Sequence, residues 1–352
     1  MSMSLASTEV AQELVADEVT IVVGCGKSKA AARSLAVVQQ QKQTIELNPA
    51  WVDKQLVSLF GVSPQRVFRD VDAWLEEDSG GGDVSLWSQS PDAPPMRVEI
   101  VAKQDFVLCG LPLMAAVFHR THAAVPCRLE SRFSDGANVK KGDVILSGIG
   151  DARCLLLGER VALNLAARLS GIASKSAAML AIVESAAARA QARSPKLLET
   201  RKTTPGLRLY EKYATRLAGV RNHRHSLDTG LMLKENHLRS FGGIPDALFS
   251  AQKSVPLLTR LEVEVTNLSE FRQAVAGGAD VIMLDNFAVD DIRIAVAERN
   301  QGSRKIELEV SGNLSEENIA TYAGLGIDFL SSGALIHQAT WVDMSLQLHR
   351  MT

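Results

Sequence analysis

Between residues 199 and 237 the chain places Arg201, Lys202, Arg208, His223, Arg224 and Lys234 beside short apolar runs such as Leu231-Met232-Leu233. Arginine and lysine stay exposed unless something pairs them. The cluster is therefore either a solvated face or a pocket whose counter-charge is an anionic ligand. Further along, acids sit in or just after apolar runs: Glu262 and Glu264 alternate within residues 261–265, and Asp285-Asn286 follows residues 281–284. The last two runs lead into Ser311-Gly312-Asn313 and Ser332-Gly333. Glycine permits close backbone approach, and N–H groups at a loop or helix start hold phosphate oxygens. Singly, each feature has a plain structural reading: ion pairs inside a sheet, a helix cap, ordinary turns. Their order suggests one ligand site, with anionic groups met by the cations, a metal bridged by acids, and a phosphate held by backbone amides.

The elements that would carry these residues follow from the pattern. Short apolar runs recur at 197–198, 231–233, 261–265, 281–284, 306–310 and 329–330, with a weaker strand at 217–221. Helical segments separate them at 269–276, where Asn267 is a cap and Glu270 lies in the first turn, and at 292–298 and 315–323. Strand–helix alternation without hairpin turns implies a parallel sheet. Continuously apolar strands favour burial on both faces and closure as a barrel, whose carboxyl strand ends converge on one mouth. Upstream, residues 159–193 read as helical with a break near Ser170-Gly171; Arg160 opens this segment, and Arg168 reads as a surface or salt-bridged arginine. Residues 97–110 and 126–148 read as strands joined by tight turns, with a helix at 112–118 between them. That makes a small antiparallel domain ending near Gly150. Residues 49–74 are helical with a break at Pro64, and 75–85 form an acidic, glycine-rich loop. The first fifty residues read as an extension of unknown role, with a strand at 20–23 and a helix at 28–41. Within them Gly24-Cys25-Gly26-Lys27-Ser28 fails as a phosphate loop, because Ile21 stands where that motif needs glycine.

Composition narrows the class. The 352 residues carry a net charge of -2, with 46% hydrophobic and 22% charged residues, ordinary values for a globular protein. Near-neutrality gives no reason to expect nucleic acid as a partner. No apolar run of transmembrane length stands out, so no membrane span is expected. Cys25, Cys109, Cys127 and Cys154 form no C-x-x-C pair, which argues against zinc and for free thiols in a reducing, cytoplasmic setting. The acids Glu9, Glu13, Asp17 and Glu18 do not suit an organellar transit peptide.

At this point the motifs become specific. Glu159-Arg160 with Leu163-Asn164 and Arg168-Leu169-Ser170-Gly171, the run from Thr200 to Arg208 (TRKTTPGLR), Asn222-His223-Arg224, Lys234-Glu235-Asn236-His237, Glu262-Val263-Glu264-Val265, Met283-Leu284-Asp285-Asn286, Glu309-Val310-Ser311-Gly312-Asn313 and Ser332-Gly333-Ala334-Leu335 occur in this order. Together they resemble the quinolinate phosphoribosyltransferase family over roughly residues 66–340. The resemblance implies an α/β fold with an N-terminal α/β sandwich (51–155, joined by the C-terminal segment 338–352) and an incomplete, seven-stranded α/β barrel (156–337). It implies transfer of phosphoribosyl from 5-phosphoribosyl-1-pyrophosphate to quinolinate with loss of CO2, and Mg2+ as cofactor. Arg201, Lys202, His223, Arg224 and Lys234 match the quinolinate-binding groups, with Arg160 supplied by the neighbouring subunit of a homodimer that can build into a higher assembly. Lys202, Glu264 and Asp285 match the catalytic groups, the two acids also serving the metal. Ser311, Gly312, Asn313, Ser332 and Gly333 match the phosphate loops. Ala218, Ser226, Thr229 and Ser332 depart from the family pattern, Thr229 standing where an acidic residue is common, without removing a charged ligand-binding position. The other readings are a paralogue of molybdenum-operon type acting on another aromatic acid, and a non-catalytic barrel that only binds.

Overall fold

The computed structural model describes residues 44–88, 90, 93–121 and 127–351. The strand and helix expected within residues 1–43, and Cys25, lie outside the described residues. The chain opens with β1 (Ile45–Glu46), then α1 (Pro49–Phe60) and α2 (Pro64–Ser79). Asn48 caps α1 by accepting from the Trp51 N–H at 2.9 Å, and Gly61, at φ 66°, ends it in the left-handed conformation that favours glycine. Pro64 starts α2 at its first turn, where a missing N–H has no partner to lose. The helix continues through Ser79, so the first half of the expected acidic loop is its last turn.

There follow β2 (Met96–Ala102), β3 (Phe106–Val107), α3 (Leu111–Arg120), β4 (Arg128–Ser131), β5 (Asn138–Val139) and β6 (Val144–Gly150). In β2 the residues Val98, Ile100 and Ala102 are buried while Arg97 and Glu99 face outward, the period-two pattern of a sheet covered on one side. α3 is buried along nearly its whole length, and the Asp135 carboxylate closes its start by accepting from the N–H groups of Gly110 and Leu111.

α4 (Ala152–Arg189) is one continuous helix of 38 residues, without the break expected at Ser170-Gly171. Those residues serve close packing instead. Ser170 Oγ accepts from Cys109 N–H at 2.9 Å, and a Cβ on Gly171 would lie 2.0 Å from the Thr340 carbonyl oxygen. By length and apolarity this helix could cross a membrane, which corrects the expectation that no such run exists; over half of its apolar stretch is buried inside the protein. It packs on α2, α3 and α5 (Arg208–Leu217), and residue 155, where the sequence reading put the boundary, lies in its first turn.

The second half supplies β7 (Lys196–Leu198), β8 (Leu231–Leu233), β9 (Leu261–Val265), β10 (Val281–Asp285), β11 (Glu307–Ser311) and β12 (Phe329–Ser331). They form one parallel sheet in the order β7-β12-β11-β10-β9-β8. The expected seventh strand is reduced to a single parallel bridge between Arg221 and Leu198, because α5 runs through Leu217 into the residues read as strand 217–221. The helix at Leu268–Gly277 is capped by Asn267, which accepts from Glu270 N–H. Of the helix expected at 315–323 only a short 3-10 turn, Ile319–Tyr322, forms. Finally β13 (Met344–Arg350) returns to pair antiparallel along the whole of β2, giving the first sheet the order β1-β4-β6-β2-β13. That sheet also takes in Ile45 and Glu46 from the stretch read as an extension.

Candidate active site

At the carboxyl ends of the parallel strands lies a cavity of about 870 Å3. Its wall contains Arg201, Lys202, His223, Arg224 and Lys234, then Glu264 and Asp285, then Ser311, Gly312, Asn313, Ser332 and Gly333. Of the site residues expected from sequence, only Arg160 is elsewhere: it is exposed on α4.

The loop after β7 carries Arg201 and Lys202, and buried charge holds it. Glu211 on α5 is fully buried; its Oε2 accepts from Thr204 N–H and its Oε1 from the Thr204 hydroxyl, both at 2.8 Å. Arg168 reaches the same carboxylate from α4, donating from Nε at 3.0 Å and Nη2 at 2.9 Å. Nη1 and Nη2 also donate to the carbonyls of Ala339 and Ile336. Arg168 is thus a buried strut behind the loop.

A second buried acid, Glu199, fixes the next segment. It pairs with Lys212, accepts from the Asn222 amide at 3.0 Å and accepts from the His223 N–H at 3.1 Å. Arg224, one residue on, donates to the Gly230 carbonyl at 3.0 Å. Burial, and then the nearby Arg201 charge, pull the Arg224 pKa below its ordinary value. A guanidinium pressed in this way by a like charge gains most from an anion between the two.

Alternation within the strands sorts the acids by depth. Glu264, Met283, Asp285, Ser311 and Ser331 all line the cavity from alternate positions of β9 to β12. Lys234 at the end of β8 contacts the Glu264 carboxylate directly, so one expected ligand cation already has an internal partner. Asp285 accepts from the Asn286 side chain at 2.9 Å. Two carboxylates on neighbouring strands at an open mouth suit Mg2+, which prefers oxygen donors and keeps most of its sphere for water and phosphate.

The Ser-Gly loops are shaped by glycine where the φ demands it. Gly312 has φ +105°, and a Cβ there would stand 2.2 Å from Asn286 Oδ1. Asn286 and Asn313 themselves sit at φ 55° and 50°, a conformation that asparagine tolerates better than most residues. A Cβ on Gly333 would meet the Lys202 Cδ at 2.7 Å, so this glycine lets the lysine stem lie across the loop. Ser332 donates its hydroxyl to the Leu314 carbonyl at 2.6 Å and accepts from Ala334 N–H, which builds the loop and leaves that oxygen committed.

Sequence reasoning missed several residues here. Thr200, Asn286, Glu317 and His337 also line the cavity. His337 lies one helical turn beyond Gly333, a spacing that could have flagged it. Below the mouth, Glu262 and Glu309 are buried beside His223, whose Nε2 is 3.3 Å from Glu262 and 3.6 Å from Glu309. Burial, and then the Glu262 charge, push the Glu309 carboxyl up to about 8. Burial acts to lower the His223 pKa, but the Glu262 hydrogen bond and the surrounding acids outweigh it and leave a net rise.

A cationic wall facing Ser-Gly loops across a pair of carboxylates, at the mouth of a parallel barrel, defines a phosphoribosyltransferase type of site. Comparisons agree. Models of the quinolinate phosphoribosyl transferase N-terminal and C-terminal domains match residues 83–170 and 172–347. The chain belongs to the quinolinate phosphoribosyltransferase family. It is 37% identical over 279 residues to the probable nicotinate-nucleotide pyrophosphorylase [carboxylating] of Synechocystis, covering 79% of this chain and 90% of that one. It is 35% identical over 278 residues to the human nicotinate-nucleotide pyrophosphorylase [carboxylating], with the same 79% and 90% coverage. The structure of the nicotinate-nucleotide pyrophosphorylase from Francisella tularensis superposes with a TM-score of 0.74 at 35% identity, over 83% of this chain and 99% of that one.

Proposed function

We propose that this chain transfers the phosphoribosyl group of 5-phosphoribosyl-1-pyrophosphate to quinolinate, giving nicotinate mononucleotide, pyrophosphate and CO2. The observation that carries the reading is the single cavity in which Arg201, Lys202, Arg224 and Lys234 face the Gly312 and Gly333 loops across Glu264 and Asp285. Quinolinate is a dianion. Two arginines with planar forks can each engage a carboxylate bidentately, while Lys202 and Lys234 add point charge and His223 completes that wall. Backbone N–H groups of Gly312, Asn313 and Gly333, in the loops that Ser311 and Ser332 open, hold the 5′-phosphate.

With both substrates so held, the pyridine nitrogen faces the anomeric carbon. Its lone pair forms the new C–N bond as the bond to pyrophosphate oxygen breaks. Positioning supplies much of the acceleration. The Glu264 and Asp285 carboxylates oppose the positive charge that develops on the ribose, and Lys202 steadies the departing anion. Mg2+, held by Glu264 and Asp285 through water or the diphosphate, would neutralise charge on the leaving group. The carboxylate next to the quaternised nitrogen then leaves as CO2. Its bonding electrons pass into the ring, and a proton takes its place. No covalent enzyme intermediate is needed.

Arg160 lies exposed on α4, as suits an arginine that completes the quinolinate pocket of a second copy in a homodimer. The test is release of CO2 from carboxyl-labelled quinolinate, expected only with the phosphoribosyl donor and Mg2+ both present. Turnover of nicotinate in its place, with none of quinolinate, would overturn the reading.

A further inference from the structure

The buried acids beneath the mouth have no task in the reaction as described. Glu262 is 8% exposed and Glu309 2%. Glu262 keeps one carboxylate oxygen, Oε1, without a hydrogen-bond partner among the described residues, and the side chain beside Glu309 is that of Ser331. An unpartnered buried carboxylate oxygen is expensive, and folds retain such groups for a reason other than stability. What the two acids share is His223: their Oε2 atoms lie 3.3 Å and 3.6 Å from its Nε2. The other ring nitrogen, Nδ1, accepts from the Arg224 N–H at 2.7 Å, which leaves the ring proton on Nε2, facing the acids. His223 lines the cavity and the two acids do not. The ring is therefore gripped along its inner edge by Glu262 and Glu309, and along its other edge by the backbone that presents the Arg224 guanidinium.

We propose that Glu262 and Glu309 are positioning residues for the acid substrate, holding the His223 ring and, through its Nδ1, the backbone from which Arg224 reaches the carboxylate. The assignment rests on the quinolinate reading given above. It explains why two acids survive in the interior of a cationic pocket: Glu199 and Lys212 fix the segment from behind, and Glu262 and Glu309 fix it from below.

A structural role and a positioning role predict opposite results for Glu309→Leu. Glu309 is buried against the like charge of Glu262, which stays beside His223 when Glu309 is removed, so the melting temperature should hold or rise. A lost ring anchor should instead raise KM for quinolinate by about ten- to a hundredfold, the range for an ångström-scale misplacement, with KM for the phosphoribosyl donor unchanged. Glu309→Gln retains a polar oxygen facing the Nε2 edge of the ring and should recover most of the acid affinity. In a His223→Phe background Glu309→Leu should add nothing, since residues acting through one partner are not additive. A lowered melting temperature with an unchanged quinolinate KM, or full additivity with His223→Phe, overturns the proposal. Imidazole nitrogen NMR of the intact protein gives a readout independent of turnover. The His223 ring should show a protonated Nε2 and an acceptor Nδ1, a pattern disturbed in Glu309→Leu; a ring unaffected by that substitution also overturns it. Failure of the wild-type protein to act on quinolinate would sink the functional reading alone, leaving the ring measurement to judge the anchor.

Discussion

Arg168→Ala probes how a loop that must carry two unpaired cations stays in place. The arginine side chain is 12% exposed and its partner Glu211 is completely buried. The substitution removes two hydrogen bonds to Glu211 Oε1 and one each to the carbonyls of Ile336 and Ala339. Breaking a buried ion pair from one side costs about 3–5 kcal/mol, because the surviving charge stays in the interior. Thr204 still donates twice to Glu211, which places the expected loss near the lower end, about 3 kcal/mol. Urea unfolding would read this as a lower midpoint at unchanged slope. The double replacement Arg168→Met with Glu211→Leu removes both charges and should return stability toward wild type, yet it cannot restore the Thr204 anchor. Turnover should therefore stay low in the double variant even as stability recovers. A single-variant loss below about 1 kcal/mol, the scale of an exposed pair, would refute the reasoning. So would a double variant that regains activity along with stability.

Three further outcomes are expected. Gly312→Ala forces a side chain into φ +105° and against Asn286 Oδ1, so KM for the phosphoribosyl donor should rise about tenfold or more, with the quinolinate KM little changed in steady-state assays. Arg160→Ala and Lys202→Ala should each be inactive alone, and mixing them should restore activity through hybrid dimers; no recovery after subunit exchange has been demonstrated by native mass spectrometry would count against a shared site. The Glu309 carboxyl is raised from an ordinary 4.5 to about 8, so the folded chain keeps a proton there that the unfolded chain has released. Stability contributed by this group falls as pH rises between those two values. The melting temperature of wild type should thus drop more from pH ~6 to ~9 than that of Glu309→Gln, and an identical decline in both would contradict the assignment.

How much of this was legible in the sequence depends on the distance over which each feature is determined. Residue types that follow a strand are local, and a parallel barrel turns that local order into convergence. Hence Arg201, His223, Lys234, Glu264, Asp285 and Gly312 could be placed at one mouth before any coordinates. Caps such as Asn267 are equally local. The break expected at Ser170-Gly171 failed for the opposite reason. A serine and a glycine in mid-helix read as a weak point, but Ser170 bonds Cys109 and Gly171 admits Thr340, partners 61 and 169 positions away (170 − 109 and 340 − 171). The weak strand before Asn222 failed because α5 competes for the same residues and leaves Arg221 a single bridge.

The same distinction explains the acids. From the sequence, Glu262 and Glu264 are two equivalent members of an alternating strand, and nothing local says which one meets the ligand. Burial decides it: Glu262 is buried, whereas Glu264 is half-buried and lines the cavity. Glu264 is level with Met283, one step below Asp285 at the rim, and it meets Lys234 there. Glu262 is level with Val281, buried and within reach of His223. Glu309 reaches the same His223 ring from β11, where it pairs with Met283, so the Glu262–Glu309 pair exists only once the barrel has formed. A residue that lines the cavity can be read from its own strand end, whereas a residue that holds such a group in place is recognisable only from its neighbours in space. Arg168, Glu211, Glu199 and the Glu262–Glu309 pair all belong to the second kind, and they carry the charges that the interior had to be built around.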